Sequence, residues 1–349
     1  MASSTIIADG TGLALSICIA TFNRAAFIAD TLNSILCQCS SEVELVVLDG
    51  GSTDDTERIM KSYLQRSERL RYIRQDTNAG VDRDFNSVVE HARGRYCWLM
   101  SDDDLLTPGA VGTVVAALRS EPSLIIVNAE VRSADMQQVL RRRQLSFTGD
   151  RSYAPGEMDR LFVETGDYLT FIACVVIKRE IWLERQKEPY FGSLFIHVGV
   201  IFQERLPAEV RVLAQPLIQI RYGNAMWRPK EFEIWMFKWP SLIWSLAGLS
   251  ERAKKEGCVR EPWRKLSRLF LYRAKGTYSK NEYRHWIRPQ LRSAIQRFPA
   301  LLIAVLPGVL ANAAMMCYYR LRADHGMGIL DMRNSRFHAR HWLFRPGGS

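Results

Sequence analysis

Tyr96–Asp104, YCWLMSDDD, is an apolar run that ends abruptly in three consecutive carboxylates. Tyr96 to Met100 are all apolar, without alternation, as in a strand buried on both faces of a parallel sheet. The carboxylates then fall where such a strand emerges at its carboxyl end, the edge at which open α/β sheets bind ligands. Successive side chains of an extended segment point to opposite sides, so Asp102 and Asp104 reach one point while Asp103 points elsewhere. Two carboxylates so placed suit a hard divalent cation, Mg²⁺ or Mn²⁺, that phosphate oxygens also hold. The plainer alternative is a carboxylate-rich turn capping a helix that starts near Pro108.

The same strand-and-helix rhythm extends upstream. Leu13 to Ala20 reads as a first strand, not a signal peptide; it ends in Thr21-Phe22-Asn23-Arg24, before a helical pattern through Ile28, Leu32, Ile35 and Leu36. Val43 to Leu48 reads as a second strand, followed by Asp49, Gly50, Gly51, Ser52, Thr53 and Asp54. The glycines permit backbone conformations closed to other residues, and Ser52, Thr53 or Asp54 can cap the helix that follows. Leu70 to Arg74 gives a third strand, and Val81 to Ala92 a helix ended by Gly94. Downstream come a helix from Pro108 to about Arg119 and a strand at Leu124 to Val127. This alternation predicts an α/β fold with a mainly parallel, doubly wound sheet flanked by helices.

Four segments in this order resemble the family 2 glycosyltransferases. TFNR is similar to their opening nucleotide-binding motif, LDGGSTDDT to their D-x-S-x-D-x-T segment and SDDD to their D-x-D metal motif. RYGNAMWRP, Arg221 to Pro229, resembles the short segment that closes over the diphosphate. The run NAGVDRDFNSVVEHARGRYCWLMSDDD looks especially like the abequosyltransferase subgroup of O-antigen enzymes. The resemblance implies a GT-A (Rossmann-like) catalytic domain over residues 1–229, its nucleotide-sugar part at about 13–128 and its acceptor part at about 129–229. It also implies a metal-dependent transferase that moves a sugar, with a deoxyhexose among the candidates, from a CDP-, UDP-, GDP- or dTDP-sugar. On this basis Asp102 and Asp104 hold the metal. Thr21, Phe22, Asn23, Arg24, Asp49, Gly51, Asp54, Arg83, Asp103, Arg221 and Asn224 bind the donor nucleotide. Asp49, at a strand end, suits the base or ribose, and Asp54 either does the same or caps its helix. Arg83 either reaches the diphosphate or sugar, or pairs with Asp82 or Asp84 in solvent.

The acceptor side is less regular. Arg141, Arg142 and Arg143 form a basic run in an expected loop, and Gly166-Asp167-Tyr168 precedes an expected strand from Phe171 to Ile177. Family members usually follow with a helix bearing Glu-Asp, whose Asp deprotonates the acceptor hydroxyl. The matching place here reads Ile196-His197-Val198. An imidazole of ordinary pKa suits proton abstraction at neutral pH, which makes His197 a candidate base. It is equally a candidate metal or phosphate ligand, or a satisfied core residue. Asp167 is the second candidate base.

Composition bounds the rest. With 47% hydrophobic and 24% charged residues the chain is globular, and seven cysteines without a paired motif predict a reduced, cytosolic protein. Residues 1–220 carry 23 basic against 29 acidic side chains, and residues 221–349 carry 24 against 8. A back half of net +16 predicts an anionic partner. No nucleic-acid motif accompanies the charge, so the cytoplasmic face of a membrane fits better. Residues 230–349 read as a helical, basic region in which Phe298 to Tyr319 is uncharged but broken by Pro299 and Pro307, between Arg292, Arg297, Arg320 and Arg322. That pattern predicts a re-entrant or interfacial hairpin at the membrane, near a lipid-linked glycan acceptor; the plainer alternative is a buried helical pair packing on the catalytic domain. His338 and His341 are spaced for a helical pair but lack further ligands. The rival readings are a sugar nucleotidyltransferase, which TFNR does not suit, and a catalytically inactive membrane-bound scaffold, which the lost Glu-Asp pair would favour.

Overall fold

The computed structural model describes residues 12–321 and 326–338; Arg322 and His341 lie outside them. Ten strands form one sheet: β1 (Leu15–Thr21), β2 (Val43–Asp49), β3 (Leu70–Arg74), β4 (Tyr96–Met100), β5 (Leu105–Leu106), β6 (Leu124–Arg132), β7 (Val139–Arg141), β8 (Arg151–Tyr153), β9 (Val175–Lys178) and β10 (Val210–Arg221). Their order is β3-β2-β1-β4-β9-β6-β10-β5, with β7 on β6 and β8 on β10. The four strands β3, β2, β1 and β4 run parallel, with Thr21 beside Asp49 and Asp49 beside Arg74. Their carboxyl ends therefore share one edge, and the loops after β1, β2 and β4 emerge together there. β9 then enters antiparallel between β4 and β6, and β10 runs parallel to β6 across a bulge.

Helices α1 (Ile28–Leu36), α2 (Thr56–Leu64) and α3 (Val81–His91) make the crossovers, and α4 (Ala110–Ala117) follows the carboxylate loop. Every residue of β2 and β4 is buried; both faces are covered, which explains the unbroken apolar run of β4 and the Leu45–Leu48 run of β2. α5 (Met158–Thr165), α6 (Arg179–Glu184) and α7 (Ile196–Phe202) complete the acceptor side.

The expected strand from Phe171 begins only at Val175. Tyr168–Thr170 and Ile172–Cys174 form 3₁₀ turns instead. The Trp98 indole N–H donates to the Ala173 carbonyl and the Tyr168 hydroxyl to the Val127 carbonyl, so aromatic polar tips fix this stretch. Arg141 lies at the end of β7, not in a plain loop.

The chain divides into two compact units, one of Met1–Arg221 with Leu246–Gly257, the other of Tyr222–Ser245 with Cys258–Ser349. The composition changes after Pro229, but the chain leaves the first unit after Arg221 and later returns to it. The second unit is helical around an aromatic core that includes Phe232, Trp263, Tyr272 and Tyr278. Within it Lys275 Nζ lies 2.5 Å from Glu231 Oε1 and 2.7 Å from Asp331 Oδ2, and the Tyr222 hydroxyl donates to Asp331 Oδ1 at 2.7 Å. Two of its helices, Ala294–Val305 and Gly308–Arg320, meet at an 88° bend; among the described residues no single helix is long and apolar enough to cross a membrane.

Candidate active site

Three loops meet at the carboxyl edge of the parallel strands. The loop after β1 is locked to the loop after β2. Asn23, in the left-handed region at φ 54, accepts at Oδ1 from the Thr53 N–H at 2.8 Å, and its own N–H donates to Ser52 Oγ. Asp54 accepts from the Thr56 and Ala25 N–H groups; it caps α2 and ties it to the first loop. Asp49 is fully buried and held twice, by the Ser52 N–H at 2.8 Å and the Tyr72 hydroxyl at 2.6 Å. Gly51, at φ 78, turns the loop where a Cβ would lie 3.1 Å from the Gln75 carbonyl oxygen. Thr21 is buried at the end of β1 and Phe22 half-buried beyond it.

The third loop carries the carboxylates. Asp102, Asp103 and Asp104 are all less than a tenth exposed. Burial first, and then Asp103, pushes the Asp102 carboxyl up to about 7, and the same causes hold Asp104 well above its usual range. A cation is what such a cluster needs, and the chain supplies two. The Arg24 guanidinium bridges Asp102 (3.1 Å) and Asp103 (2.9 Å). Arg221 donates its backbone N–H to Asp104 Oδ1 at 2.7 Å, its Nε to the Asp103 carbonyl, and its terminal nitrogens to the Ala134 carbonyl and Asp30. Both guanidiniums lie over the Phe27 ring, at 5.5 and 5.2 Å. The sequence assigned Arg24 and Arg221 to the nucleotide; here each also holds the acid loop. Phe27 and Asp30 carried no motif and were not foreseen.

No group of three or more His, Cys, Asp or Glu poised to hold a metal occurs among the described residues. That does not disqualify the trio: Mg²⁺ usually takes one or two carboxylates and completes its shell with water and substrate phosphate. The donor set of Asp102 and Asp104, two buried carboxylates with raised pKa, fits such an ion.

Asp82 and Asp84 open α3. Asp82 accepts the Leu194 and Ile196 N–H groups at 2.9 and 3.1 Å and so fixes the start of α7. Asp84 is buried with one oxygen unpartnered, and burial together with Asp49 raises it to about 6. Arg83 between them is exposed and stacks on Phe191 at 4.3 Å, beside a cleft of about 330 Å³ lined also by Gly80, Gly192 and Leu194.

The two candidate bases share one neighbourhood. Asp167 is exposed at the start of the Tyr168–Thr170 turn. His197, on α7, lies 2.7 Å through Nε2 from the Leu169 carbonyl of that turn and is 1% exposed. A carbonyl can only accept, so Nε2 carries the proton and Nδ1 is the acceptor. Nδ1 has no hydrogen-bond partner, and burial lowers the ring to about 4. As it stands His197 is a neutral, enclosed imidazole, not one of ordinary pKa. Asn224 belongs to the second unit.

Residues 16–181 match the model of "Glycosyl transferase family 2". The chain is 24% identical over 229 residues to the abequosyltransferase RfbV of Salmonella typhimurium, covering 62% of this chain and 69% of that one. It is 29% identical over 102 residues to the GalNAc(5)-diNAcBac-PP-undecaprenol beta-1,3-glucosyltransferase of Campylobacter jejuni, where the alignment spans 29% of this chain and 33% of the relative. Among solved structures, S. aureus TarS 1-349 superposes with a TM-score of 0.57 at 14% identity, covering 95% of this chain and 92% of that one. The mannosyltransferase PcManGT of Pyrobaculum calidifontis, in complex with GDP-Man and Mn²⁺, superposes at 0.53 and 15% identity, covering 95% and 88%. At such identities the superpositions speak for the fold alone. Residues 16–181, a little under half of the chain, thus match the family 2 glycosyltransferases, which transfer sugars from nucleotide-sugar donors, on a GT-A-like fold.

Proposed function

We propose that this chain transfers a sugar from a nucleotide-diphosphate sugar to a lipid-linked glycan during cell-surface polysaccharide synthesis, at the inner face of the membrane. The observation that carries the reading is the buried trio Asp102, Asp103 and Asp104 at the carboxyl end of β4, in which burial and Asp103 raise the pKa of Asp102 and Asp104. Asp102 and Asp104 would hold the divalent cation, Mg²⁺ or Mn²⁺, which when bound neutralises charge on the departing nucleotide diphosphate. Asp49 and the Asn23–Asp54 loops would seat the nucleoside. Arg24 and Arg221, placed around the acid loop, would orient the diphosphate.

The acceptor hydroxyl must lose a proton as the new bond forms. Asp167 Oδ or His197 Nδ1 would take it; Asp167 has the solvent access, His197 the family position. The lipid-linked acceptor is supported by the undecaprenol named in the Campylobacter relative's activity and by the basic back half of the chain. A deoxyhexose donor is supported by the abequosyltransferase likeness.

Thermal unfolding with a panel of CDP-, UDP-, GDP- and dTDP-sugars, each with and without Mn²⁺, tests the reading. One donor should raise the melting temperature and do so more with the metal, since a ligand bound only by the folded state stabilises it. No shift with any donor would sink it.

A further inference from the structure

A helix on a soluble protein turns its bulky apolar residues inward. Ala294–Val305 and Gly308–Arg320 carry an apolar row on the outer side as well. Their buried positions are mostly small, Ala300, Ala304, Gly308 and Ala311. Leu301, Ile303 and Met316 pack inward, but a second row of bulky side chains faces out: Ile295 is 86% exposed, Phe298 65%, Leu302 54%, Val305 51% and Leu310 62%. The spacing 295, 298, 302, 305 is that of one helix face, and it continues to the bend before Gly308. No charged residue occurs from Phe298 to Tyr319, and no acidic one from Tyr283 to Leu321. Exposed Arg288 and Arg292 precede the pair, and exposed Tyr318 and Arg320 end it.

We propose that these outward faces are a lipid-docking surface, which lies in the headgroup region of an anionic bilayer without crossing it. This deepens the membrane part of the reading above and rests on it. Each helix is too short to span: twelve residues rise about 18 Å, against a hydrocarbon core of about 30 Å. The 88° bend keeps the two from forming one longer span. The occupant is a lipid surface, not a further protein, because arginines flank the apolar face with no acidic counterpart. Such a face suits anionic headgroups around a shallow acyl layer, with an interfacial tyrosine at its end.

Flotation of the full chain with phosphatidylglycerol vesicles, and separately with phosphatidylcholine vesicles, tests this. The chain should float with phosphatidylglycerol. It should remain partly bound in about 1 M salt, where the Debye length falls to about 3 Å and only the apolar contact persists. Alkaline carbonate should release it; retention would mean a true span and overturn the in-plane placement. The variant Phe298→Gln/Leu302→Gln/Leu310→Gln should partition about tenfold less or worse at both salt concentrations, about 1.4 kcal/mol, with unchanged melting temperature. Arg288→Gln/Arg292→Gln/Arg320→Gln should lose only the salt-sensitive binding. Wild-type flotation by the apolar variant overturns the proposal. So does a wild-type dimer that ignores vesicles and dissociates on the apolar substitutions, which would make the face a contact between copies. Donor hydrolysis with water as acceptor, followed in the same samples, reports on the transferase reading separately: its absence throughout sinks that reading and leaves the flotation result standing.

Discussion

At the scale of single residues, Asp104 and His197 make the sharpest claims. Asp104→Asn keeps an amide oxygen to accept the Arg221 N–H but removes the charge. Turnover should fall about 100-fold or more, about 2.7 kcal/mol of transition-state stabilisation, while the melting temperature holds; unchanged turnover in that variant, or in wild type treated with EDTA, counts against a metal there. His197 has a folded pKa of about 4, below its ordinary 6.5. The unfolded chain therefore binds the extra proton first, and the His197 contribution is complete above about pH 6.5 and lost as pH falls through about 4. A His197→Gln variant, which still donates to the Leu169 carbonyl, should show a flatter stability profile between those values by up to about 3 kcal/mol. Chemical denaturation at several pH values reads it directly. If His197 is also the base, the acid limb of turnover sits near its low folded pKa; a limb near neutrality would assign the base elsewhere.

Elements explain how those residues are held, and how far the sequence alone could go. β1, β2 and β4 were readable because strands covered on both faces are dominated by apolar residues (Ser16 and Glu44 are buried only by bonding each other), and the three loops at their ends followed from that. Irregular parts were less readable. Phe171–Cys174 has a strand's composition, but the region forms turns that are tied to Trp98 and Val127, both distant in sequence, by the Trp98–Ala173 and Tyr168–Val127 bonds. The motif around Arg221 points to the diphosphate; its bonds to Asp30 and the Ala134 carbonyl join distant parts of the chain and leave no local trace. Asp82 looked like a salt-bridge partner for Arg83, yet it serves the backbone of α7. Two substitutions test this level. Gly51→Ala forces a side chain into φ 78 against the Gln75 and Asp76 carbonyls, and should cost about 1–3 kcal/mol of stability along with donor affinity. Asp82→Asn turns one acceptor into a donor facing an N–H. It should cost about 1–3 kcal/mol and alter proton transfer from the acceptor more than donor binding, seen as a larger loss in transfer than in the donor-induced thermal shift.

For the whole molecule, the interrupted path of the chain matters most. A chain ending at residue 229 contains every nucleotide motif but lacks Leu246–Gly257, which belongs to the first unit. There the Ser250 N–H donates to Asp159, and Leu246, Leu249 and Ala253 are buried. Such a chain should melt lower than full-length protein by several degrees or aggregate, because three apolar side chains and a capping bond are lost at once. Equal melting temperatures would show that stretch to be dispensable. The same path has a meaning in time. On the ribosome the first unit cannot be completed when Arg221 emerges; it must wait until residue 257 has followed, with Tyr222–Ser245 held out as a loop whose own partners are still being made. Synthesis at about 5–20 residues per second makes that wait a matter of seconds. During it the aromatic residues of the 222–245 segment, Phe232 and Trp239 among them, face water and passing chaperones, and the vulnerable moment in this protein's life comes before its last hundred residues exist.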